Sequence, residues 1–275
     1  MQVQRTAAFS DGTAGGNPAG VVLCDALPDA AAMQAVAAAV GYSETAFAAP
    51  TEDGWRVRYF APEIEVPFCG HATIALGAAL ALAHGDGVFR LQLNDARIPV
   101  EGRRTGEALT AALQAPPTCR APAAPELTAD ALALFGLAAG DLDPRLPPAV
   151  AEAGARHLIL ALPSRGRLSA MRYDLEAGRT LMTAAGLVTI SLVHAETARL
   201  FHARNPFAAG GVYEDPATGA AAAALGGYLR DLGWPHGSAI EIIQGEDMGM
   251  RSRLHVGITP EHSASIRVSG TARRM

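Results

Sequence analysis

The chain has 275 residues, 49% of them hydrophobic and 18% charged, and a formal net charge of −5. This composition predicts a globular protein with a substantial core, organised as one large or two ordinary domains. All 22 basic residues are arginine, which excludes a pyridoxal-phosphate enzyme and a P-loop protein because both need a lysine. Basic runs reach no further than Arg103-Arg104 and Arg273-Arg274, which argues against nucleic acid as a partner.

The first half of the chain is predicted to form short strands around one buried helix. The Ala-rich segment 29–40 predicts a first helix. Residues 71–84 are apolar on nearly every side, which is typical of a helix enclosed by other elements. Strands are predicted at 2–9, 21–24, 45–48, 56–60, 88–93 and 97–101, the last two joined as a hairpin.

A proline-rich segment separates the two halves. We predict a linker at 116–127 between an N-terminal lobe at 1–115 and a C-terminal lobe at 128–275, and either terminus is free to cross into the other lobe. In the second half, helices are predicted at 129–137 and 219–232. Strands are predicted at 157–162, 187–196, 198–203, 240–244, 254–258 and 265–268.

An internal repeat links the two halves. Residues 65–80 align with residues 214–229 without a gap, at an offset of 149, and eight of the sixteen positions are identical. The shared positions include the glutamate, the proline and two glycines before and inside the buried helix. We therefore predict that the chain arose by duplication.

Each copy of the repeat ends an extended segment and enters an apolar helix through a glycine. The first-turn amides of such a helix have no partner within the helix, and the helix dipole is positive there. This predicts a small-anion site at each helix start. The copies differ where chemistry would occur, because Val66, Cys69 and His71 stand opposite Asp215, Thr218 and Ala220. A shared scaffold with different polar residues favours an asymmetric acid/base site.

Several segments resemble the phenazine-biosynthesis PhzF-like family. They are YSETAF at 42–47, RYFAPEIEVPFCGHATIALG at 58–77 and YEDPATGAA at 213–221, with weaker agreement from GNPAGVV at 16–22 and QGEDMGMRSRLHV at 244–256. The resemblance implies an α+β, diaminopimelate epimerase-like fold with two similar lobes. Each lobe is a β-barrel-like sheet wrapped around a central helix, and the site lies in the cleft. It also implies an isomerase that uses no cofactor, and commonly a homodimer.

The resemblance also assigns residues. Glu44 matches the principal acid/base group, which would lift a proton from the carbon of a small carboxylate substrate and return it at another. His71 and Asp215 match supporting polar residues, and which of them carries the second proton stays open. The residues expected to line the substrate are Gly70, Thr73, Thr218, Gly219, Ala220 and Cys69.

One position departs from the family pattern. The family usually has a serine where this chain has Ala220, so a hydroxyl is missing at the start of the second helix. Two alternatives to an acid/base isomerase therefore stay open. One is an epimerase or lyase that acts on an amino-acid-like acid with the same Glu44. The other is a catalytically altered or inactive homologue that still binds a small carboxylate.

The positions of the cysteines and histidines argue against a two-thiol mechanism and against a metal site. A two-thiol racemase needs one cysteine in each lobe, and Thr218 stands opposite Cys69, so that mechanism is not expected. The other histidines show no metal-ligand spacing, and no metal is predicted. Only three cysteines occur, and the N-terminus lacks a basic start with an apolar run, so we expect a cytoplasmic protein without membrane partners.

Overall fold

The structure is a computed structural model that describes residues 1–106 and 108–275, with Thr105 described by its backbone alone. The chain divides into two compact units. The first unit consists of Met1–Gln114 and Ser269–Met275, and the second of Ala115–Val268. No helix among the described residues has both the length and the apolar character needed to cross a membrane.

The described residues form six α-helices and seventeen strands. The helices are α1 (Ala30–Val40), α2 (Gly70–His84), α3 (Pro125–Leu134), α4 (Arg165–Ser169), α5 (Leu175–Ala184) and α6 (Gly219–Leu232). The strands are β1 (Gln4–Ser10), β2 (Asn17–Leu23), β3 (Thr45–Thr51), β4 (Gly54–Phe60), β5 (Glu65–Val66), β6 (Gly87–Gln92), β7 (Arg97–Thr105), β8 (Ala108–Pro117), β9 (Cys119–Pro122), β10 (Ala149–Glu152), β11 (Arg156–Ala161), β12 (Thr189–Ala195), β13 (Leu200–Phe207), β14 (Val212–Asp215), β15 (Ala239–Gln244), β16 (Ser252–Gly257) and β17 (Ser265–Arg274).

In the first unit, strand pairing alternates between antiparallel and parallel. β1 pairs antiparallel with β2, β2 parallel with β3, β3 antiparallel with β4, β4 parallel with β6, and β6 antiparallel with β7. The short β5 pairs with β4 immediately before α2 begins. Because parallel strands need a crossover, α1 connects β2 to β3, and α2 connects β4 to β6.

The second unit repeats this pairing order. β10 pairs antiparallel with β11, β11 parallel with β12, β12 antiparallel with β13, β13 parallel with β15, and β15 antiparallel with β16. The short β14 pairs with β13 before α6 begins, as β5 does with β4 before α2. The same order of pairing and crossover in both units confirms the duplication that the aligned segments predicted.

The central helix of each unit is enclosed by strands. Residues 71–81 of α2 are all buried, and the helix contacts β1, β2, β3, β6 and β7. α6 is buried over most of its length and contacts β9, β10, β11 and β16. Aligned glycines allow both close approaches. A Cβ on Gly77 would lie 2.6 Å from a methyl of Val100, and one on Gly226 would lie 2.8 Å from a methyl of Val256.

Most predicted elements are present near their predicted positions, including the helices at 71–84 and 219–232. The segment predicted as a linker is regular structure instead. It contains the end of β8, all of β9 and the start of α3. β9 pairs with β10, and Pro125 occupies the first turn of α3, where its missing amide hydrogen costs no bond. The linker prediction was therefore wrong, because prolines at strand ends and at a helix start give the same proline-rich pattern as a linker.

Gly102 of β7 supports α2 by having no side chain. A Cβ at this position would lie 2.1 Å from the carbonyl oxygen of Gly77, a backbone atom that has no freedom to move away. We expect Gly102→Ala to lower the free energy of unfolding by about 1–3 kcal/mol, measured by urea denaturation. Gly87→Ala is the matched control, because Gly87 pairs with Gly102 across the strands and its added Cβ would meet nothing closer than 3.8 Å. Equal losses in both variants would contradict this packing.

His157 is a buried titratable group of the second unit. Its side chain is fully buried on β11, with Nδ1 at 2.8 Å from the hydroxyl of Thr189 and no hydrogen-bond partner for Nε2 among the described residues. Burial disfavours the charged imidazolium and lowers the pKa of His157 to about 4. The unfolded chain therefore binds a proton at a pH where the folded chain does not.

We expect this histidine to make folding sensitive to mild acid. Its contribution to stability is complete above the unfolded pKa of about 6.5 and is lost as the pH falls toward 4, a change of about 3 kcal/mol. The variant His157→Leu with Thr189→Val removes both hydrogen-bonding partners together and should flatten this part of the curve. The measurement is urea unfolding between pH 7 and pH 4. An unchanged slope in the double variant would show that other groups cause the loss.

Candidate active site

Glu44 lies between the end of α1 and the start of β3. Its carbonyl oxygen accepts a hydrogen bond from the amide of Gly20 at 3.1 Å, which fixes the backbone where β2 and β3 become parallel. The side chain is 13% exposed, and its Oε2 atom lies 3.4 Å from Nε2 of His71. This oxygen is buried and has no hydrogen-bond partner among the described residues. A buried polar atom without a partner is uncommon and costly, and a proton or a ligand would relieve that cost.

His71 is the second residue of α2 and is itself buried. Its Nδ1 atom lies 3.3 Å from the sulfur of Cys69, and its Nε2 atom lies 3.4 Å from the hydroxyl of Ser43 as well as from Glu44. One imidazole therefore contacts a thiol on one side and a carboxylate on the other. Glu44, Cys69 and His71 form one cluster, which we call the α2-start cluster.

Thr73 and Tyr59 hold the start of α2 in place. Thr73 is fully buried, and its hydroxyl donates to the carbonyl oxygen of Cys69 at 2.7 Å. The hydroxyl of Tyr59 lies 2.7 Å from the same threonine oxygen, and burial raises the pKa of Tyr59. With its hydroxyl engaged on the protein side, Thr73 positions Cys69 within the cluster.

In the second unit, Asp215 is the last residue of β14, and hydrogen bonds hold the segment that follows it. Thr218 donates its hydroxyl proton to Oδ2 of Asp215 at 2.6 Å. Gln244, which is 1% exposed, donates to the carbonyl oxygen of Asp215 at 2.7 Å and to the hydroxyl oxygen of Thr218 at 3.0 Å. It also accepts a hydrogen bond from the amide of Thr218 at 3.2 Å. One buried amide side chain therefore sets the conformation of the segment that carries Asp215.

An arginine–glutamate pair braces the strand before each central helix. In the first unit, Arg58 binds Glu65, and this hydrogen bond lowers the pKa of Glu65 to about 2. In the second unit, Arg204 donates to Glu214 at 3.0 Å, and both side chains are buried. Burial acts to lower the pKa of Arg204, but the hydrogen bond and charge of Glu214 outweigh it and raise that pKa. Glu65 and Glu214 are aligned in the repeat, so the two pairs are equivalent.

The two helix starts also correspond. α2 begins at Gly70 after Cys69, and α6 begins at Gly219 after Thr218, with Ala220 as its second residue. Neither Cys69 nor Thr218 makes a side-chain capping hydrogen bond to its helix. First-turn amides that no side chain caps are suited to hold an anion.

A family model described as phenazine biosynthesis-like protein matches residues 6–275. The chain belongs to the phenazine biosynthesis-like family. The trans-2,3-dihydro-3-hydroxyanthranilate isomerase of Pseudomonas aeruginosa is 32% identical to it over 271 residues, which cover 96% of this chain and 93% of that protein. Similar proteins from several bacteria are named as isomerases, and this member of the family is an isomerase.

Solved structures confirm the fold of this phenazine biosynthesis-like protein. A PhzF-family protein of Bacillus anthracis superposes with a TM-score of 0.86 at 23% identity, covering 100% of this chain and 98% of that one. A protein of Pseudomonas aeruginosa described as a predicted epimerase gives a TM-score of 0.84 at 26% identity, covering 99% of this chain and 96% of that one. The expected epimerase-like fold is therefore the observed one.

The structure groups the expected site residues by unit. Glu44, Cys69, Gly70, His71 and Thr73 belong to the first unit, and their side chains or backbones meet at the start of α2. Asp215, Thr218, Gly219 and Ala220 belong to the second unit and lie at or just before the start of α6. Their roles toward a substrate stay predictions for this phenazine biosynthesis-like chain.

Sequence reasoning missed three residues that shape these groups. Tyr59 lies inside a matched segment, but a tyrosine in a strand gives no sign that it bonds to a helix start. Ser43 lies in the matched segment 42–47, but the resemblance assigned a role only to the neighbouring Glu44. Gln244 opens the weakly matched segment 244–256, and only its complete burial marks it as a polar residue with partners.

We expect Gln244→Met to loosen the segment that carries Asp215. The substitution keeps the side chain's length but removes the hydrogen bonds that Gln244 makes to the Thr218 amide and to the Asp215 carbonyl oxygen, and each lost hydrogen bond costs about 0.5–1.5 kcal/mol. Hydrogen exchange at the Thr218 amide should therefore become faster. Gln92→Met on the exposed side of β6 is the control and should change nothing. Unaltered protection at Thr218 would mean that Gln244 does not hold this loop.

Proposed function

We propose that this isomerase moves a proton on a small carboxylate substrate by general acid/base catalysis, with Glu44 as the principal base and without a cofactor. The observation that carries the proposal is the buried Glu44 Oε2 atom, which has no hydrogen-bond partner among the described residues and lies 3.4 Å from His71. A carboxylate held in this way is ready to accept a proton from a carbon acid. The absence of lysine from the sequence supports chemistry without a Schiff base.

The proposed reaction begins when Glu44 Oε2 takes a proton from a carbon of the substrate. The electron pair of the broken C–H bond moves into the adjacent unsaturated system, and the negative charge spreads toward an oxygen. Glu44, now protonated, returns the proton at a different carbon, so the atoms of substrate and product are the same. His71 lies within reach of Glu44 and either stabilises the developing charge or passes the proton.

Carboxylate recognition is proposed for the helix starts. The first-turn amides of α2 follow Cys69, which leaves them without a side-chain cap, and the positive end of the helix dipole favours an anion there. Gly70 is the first residue of α2, so its amide is one of these uncapped donors. The relative in Pseudomonas aeruginosa is named for a dihydro-hydroxyanthranilate, and a small cyclic carboxylate of that kind is the substrate class we propose.

Ala220 carries the alternative proposal of an altered or inactive carboxylate-binding homologue. It is the second residue of α6 and therefore occupies the position that His71 occupies in α2. Its methyl group supplies no hydrogen bond to a ligand. This change alters binding at the second helix start, whereas Glu44 and His71 in the first unit are complete. We therefore favour catalysis over binding alone.

Deuterium incorporation tests the proposal directly. The protein is incubated in D₂O with a panel of small cyclic carboxylates, and deuterium next to the unsaturated system is followed by NMR. We expect Glu44→Gln to lower the exchange rate by about 10²–10⁴-fold, because an amide does not accept the proton. Glu52→Gln, which changes an exposed carboxylate in the turn after β3, should leave the rate unchanged.

Two results would count against the proposal. Exchange at the wild-type rate in Glu44→Gln would remove Glu44 from the reaction. Tight binding of a carboxylate without any exchange by the wild-type protein would favour the alternative based on Ala220. Asp215→Asn in the same assay shows whether the carboxylate of the second unit takes part in the proton transfer.

A further inference from the structure

The α2-start cluster contains three different kinds of metal ligand. Glu44 offers a carboxylate oxygen, Cys69 a sulfur and His71 a ring nitrogen, and one such atom from each lies within 4.8 Å of the other two. Among the described residues, only these three bring as many ligand atoms together. Their spacing in the sequence gave no warning, because Glu44 stands 25 residues before Cys69, far from the start of α2 where the other two lie.

Two of the three separations can be compared with those around a tetrahedral ion. Zn²⁺ binds sulfur at about 2.3 Å and nitrogen or oxygen at about 2.0–2.2 Å, so neighbouring ligand atoms around it lie about 3.3–3.6 Å apart. In the structure, Nε2 of His71 lies 3.4 Å from Oε2 of Glu44 and 4.0 Å from the sulfur of Cys69. The first separation already matches, and the second exceeds the expected value by about half an ångström, so the Cys69 sulfur has to move toward Nε2 by about that distance when the ion binds.

The burial and the chemistry of these three side chains favour a bound cation. Oε2 of Glu44 is buried without a hydrogen-bond partner among the described residues, and a cation would satisfy it. Cys69 and His71 are both buried, and Cys69 is not in a disulfide. Sulfur, imidazole and carboxylate together suit zinc rather than magnesium or calcium, which prefer oxygen ligands alone. Three protein ligands leave a fourth position for water or a substrate oxygen.

We propose that Glu44, Cys69 and His71 form a binding site for a zinc-type divalent ion and that the bound ion inhibits the isomerase. The ion takes the lone pairs of Glu44 and His71 that the proton transfer needs, so metal and catalysis exclude each other. The inhibition rests on the proposed function, whereas metal binding by the three side chains does not. Binding converts the Cys69 thiol to a thiolate and releases its proton to solvent.

Cobalt spectroscopy tests the site without an activity assay. Co²⁺ is added to the metal-free protein, and the thiolate-to-cobalt absorption band is recorded, followed by displacement with Zn²⁺. We expect one ion per chain, a thiolate band, and about one proton released per zinc in weak buffer. Cys69→Ser should abolish the band and weaken zinc binding at least about 100-fold, because losing an outer-shell partner alone costs 10–100-fold.

Matched variants make the result specific. The double variant Cys24→Ser with Cys119→Ser leaves Cys69 as the sole thiol and should keep the band unchanged. Glu44→Gln should keep the band but weaken zinc binding, because it removes the oxygen ligand only. Circular dichroism of every variant confirms that it is folded. The site is overturned if the band persists in Cys69→Ser, if it disappears in the double variant, or if wild-type protein binds neither ion at millimolar concentration.

Inhibition is measured separately by the deuterium exchange assay. Zn²⁺ should stop exchange by wild-type protein, and a chelator should restore it. A thiolate band with exchange that zinc does not change would refute inhibition while the metal site stands. A thiolate band with no exchange under any condition would refute the proposed function and leave the metal site intact. Deuterium exchange by a protein that binds no metal would refute the metal site and leave the proposed function intact.

Discussion

The structure depends on two helices that have no polar face. α2 and α6 expose too little polar surface to lie against solvent, so each must be covered by strands on every side. Covering a helix in this way requires a sheet that curves around it. The strands of this sheet pair in alternating antiparallel and parallel fashion. Glycines at aligned positions, Gly77 and Gly226, allow the strands to approach the helix closely enough to exclude voids.

The same scaffold leaves its chemistry at the helix starts. Each central helix begins after a short strand that an arginine–glutamate pair ties to its neighbouring strand in both units. What differs is the set of side chains around that start. The first unit places a carboxylate, a thiol and an imidazole there, and the second places an aspartate, a threonine and a glutamine. Duplication followed by divergence at a few positions accounts for this asymmetry.

Much of the fold was predictable because its strongest signals are local. An apolar helix of the length of α2 or α6 is visible in the sequence alone, and so is the repeat that contains it. Several elements were missed, among them the strands β8, β9 and β10, which depend on distant partners, and the short helices α4 and α5. The prolines at 116–125 misled the prediction because their strand-edge and helix-start positions become evident only when their neighbours are known.

The site shows the same limit. Glu44, His71 and Asp215 were identified from a family resemblance, and residue spacing alone did not bring Glu44 near Cys69. The role of Gln244 depends on three hydrogen bonds to a loop 26 and 29 residues away along the chain, which no sequence pattern marks. Burial likewise decides the behaviour of His157, since the same residue on an exposed strand would titrate normally.

The path of the last strand has a consequence for biosynthesis. Residues 271–274 of β17 pair with β1, and Ser269–Met275 belong to the first unit although they are made last. On the ribosome, β1 has β2 available early, but the edge that pairs with residues 271–274 lacks this partner until these residues have emerged. The N-terminal unit therefore finishes folding only after translation has passed through the whole of the second one. During that interval an unpaired strand edge is exposed, and this is a surface that chaperones are suited to protect.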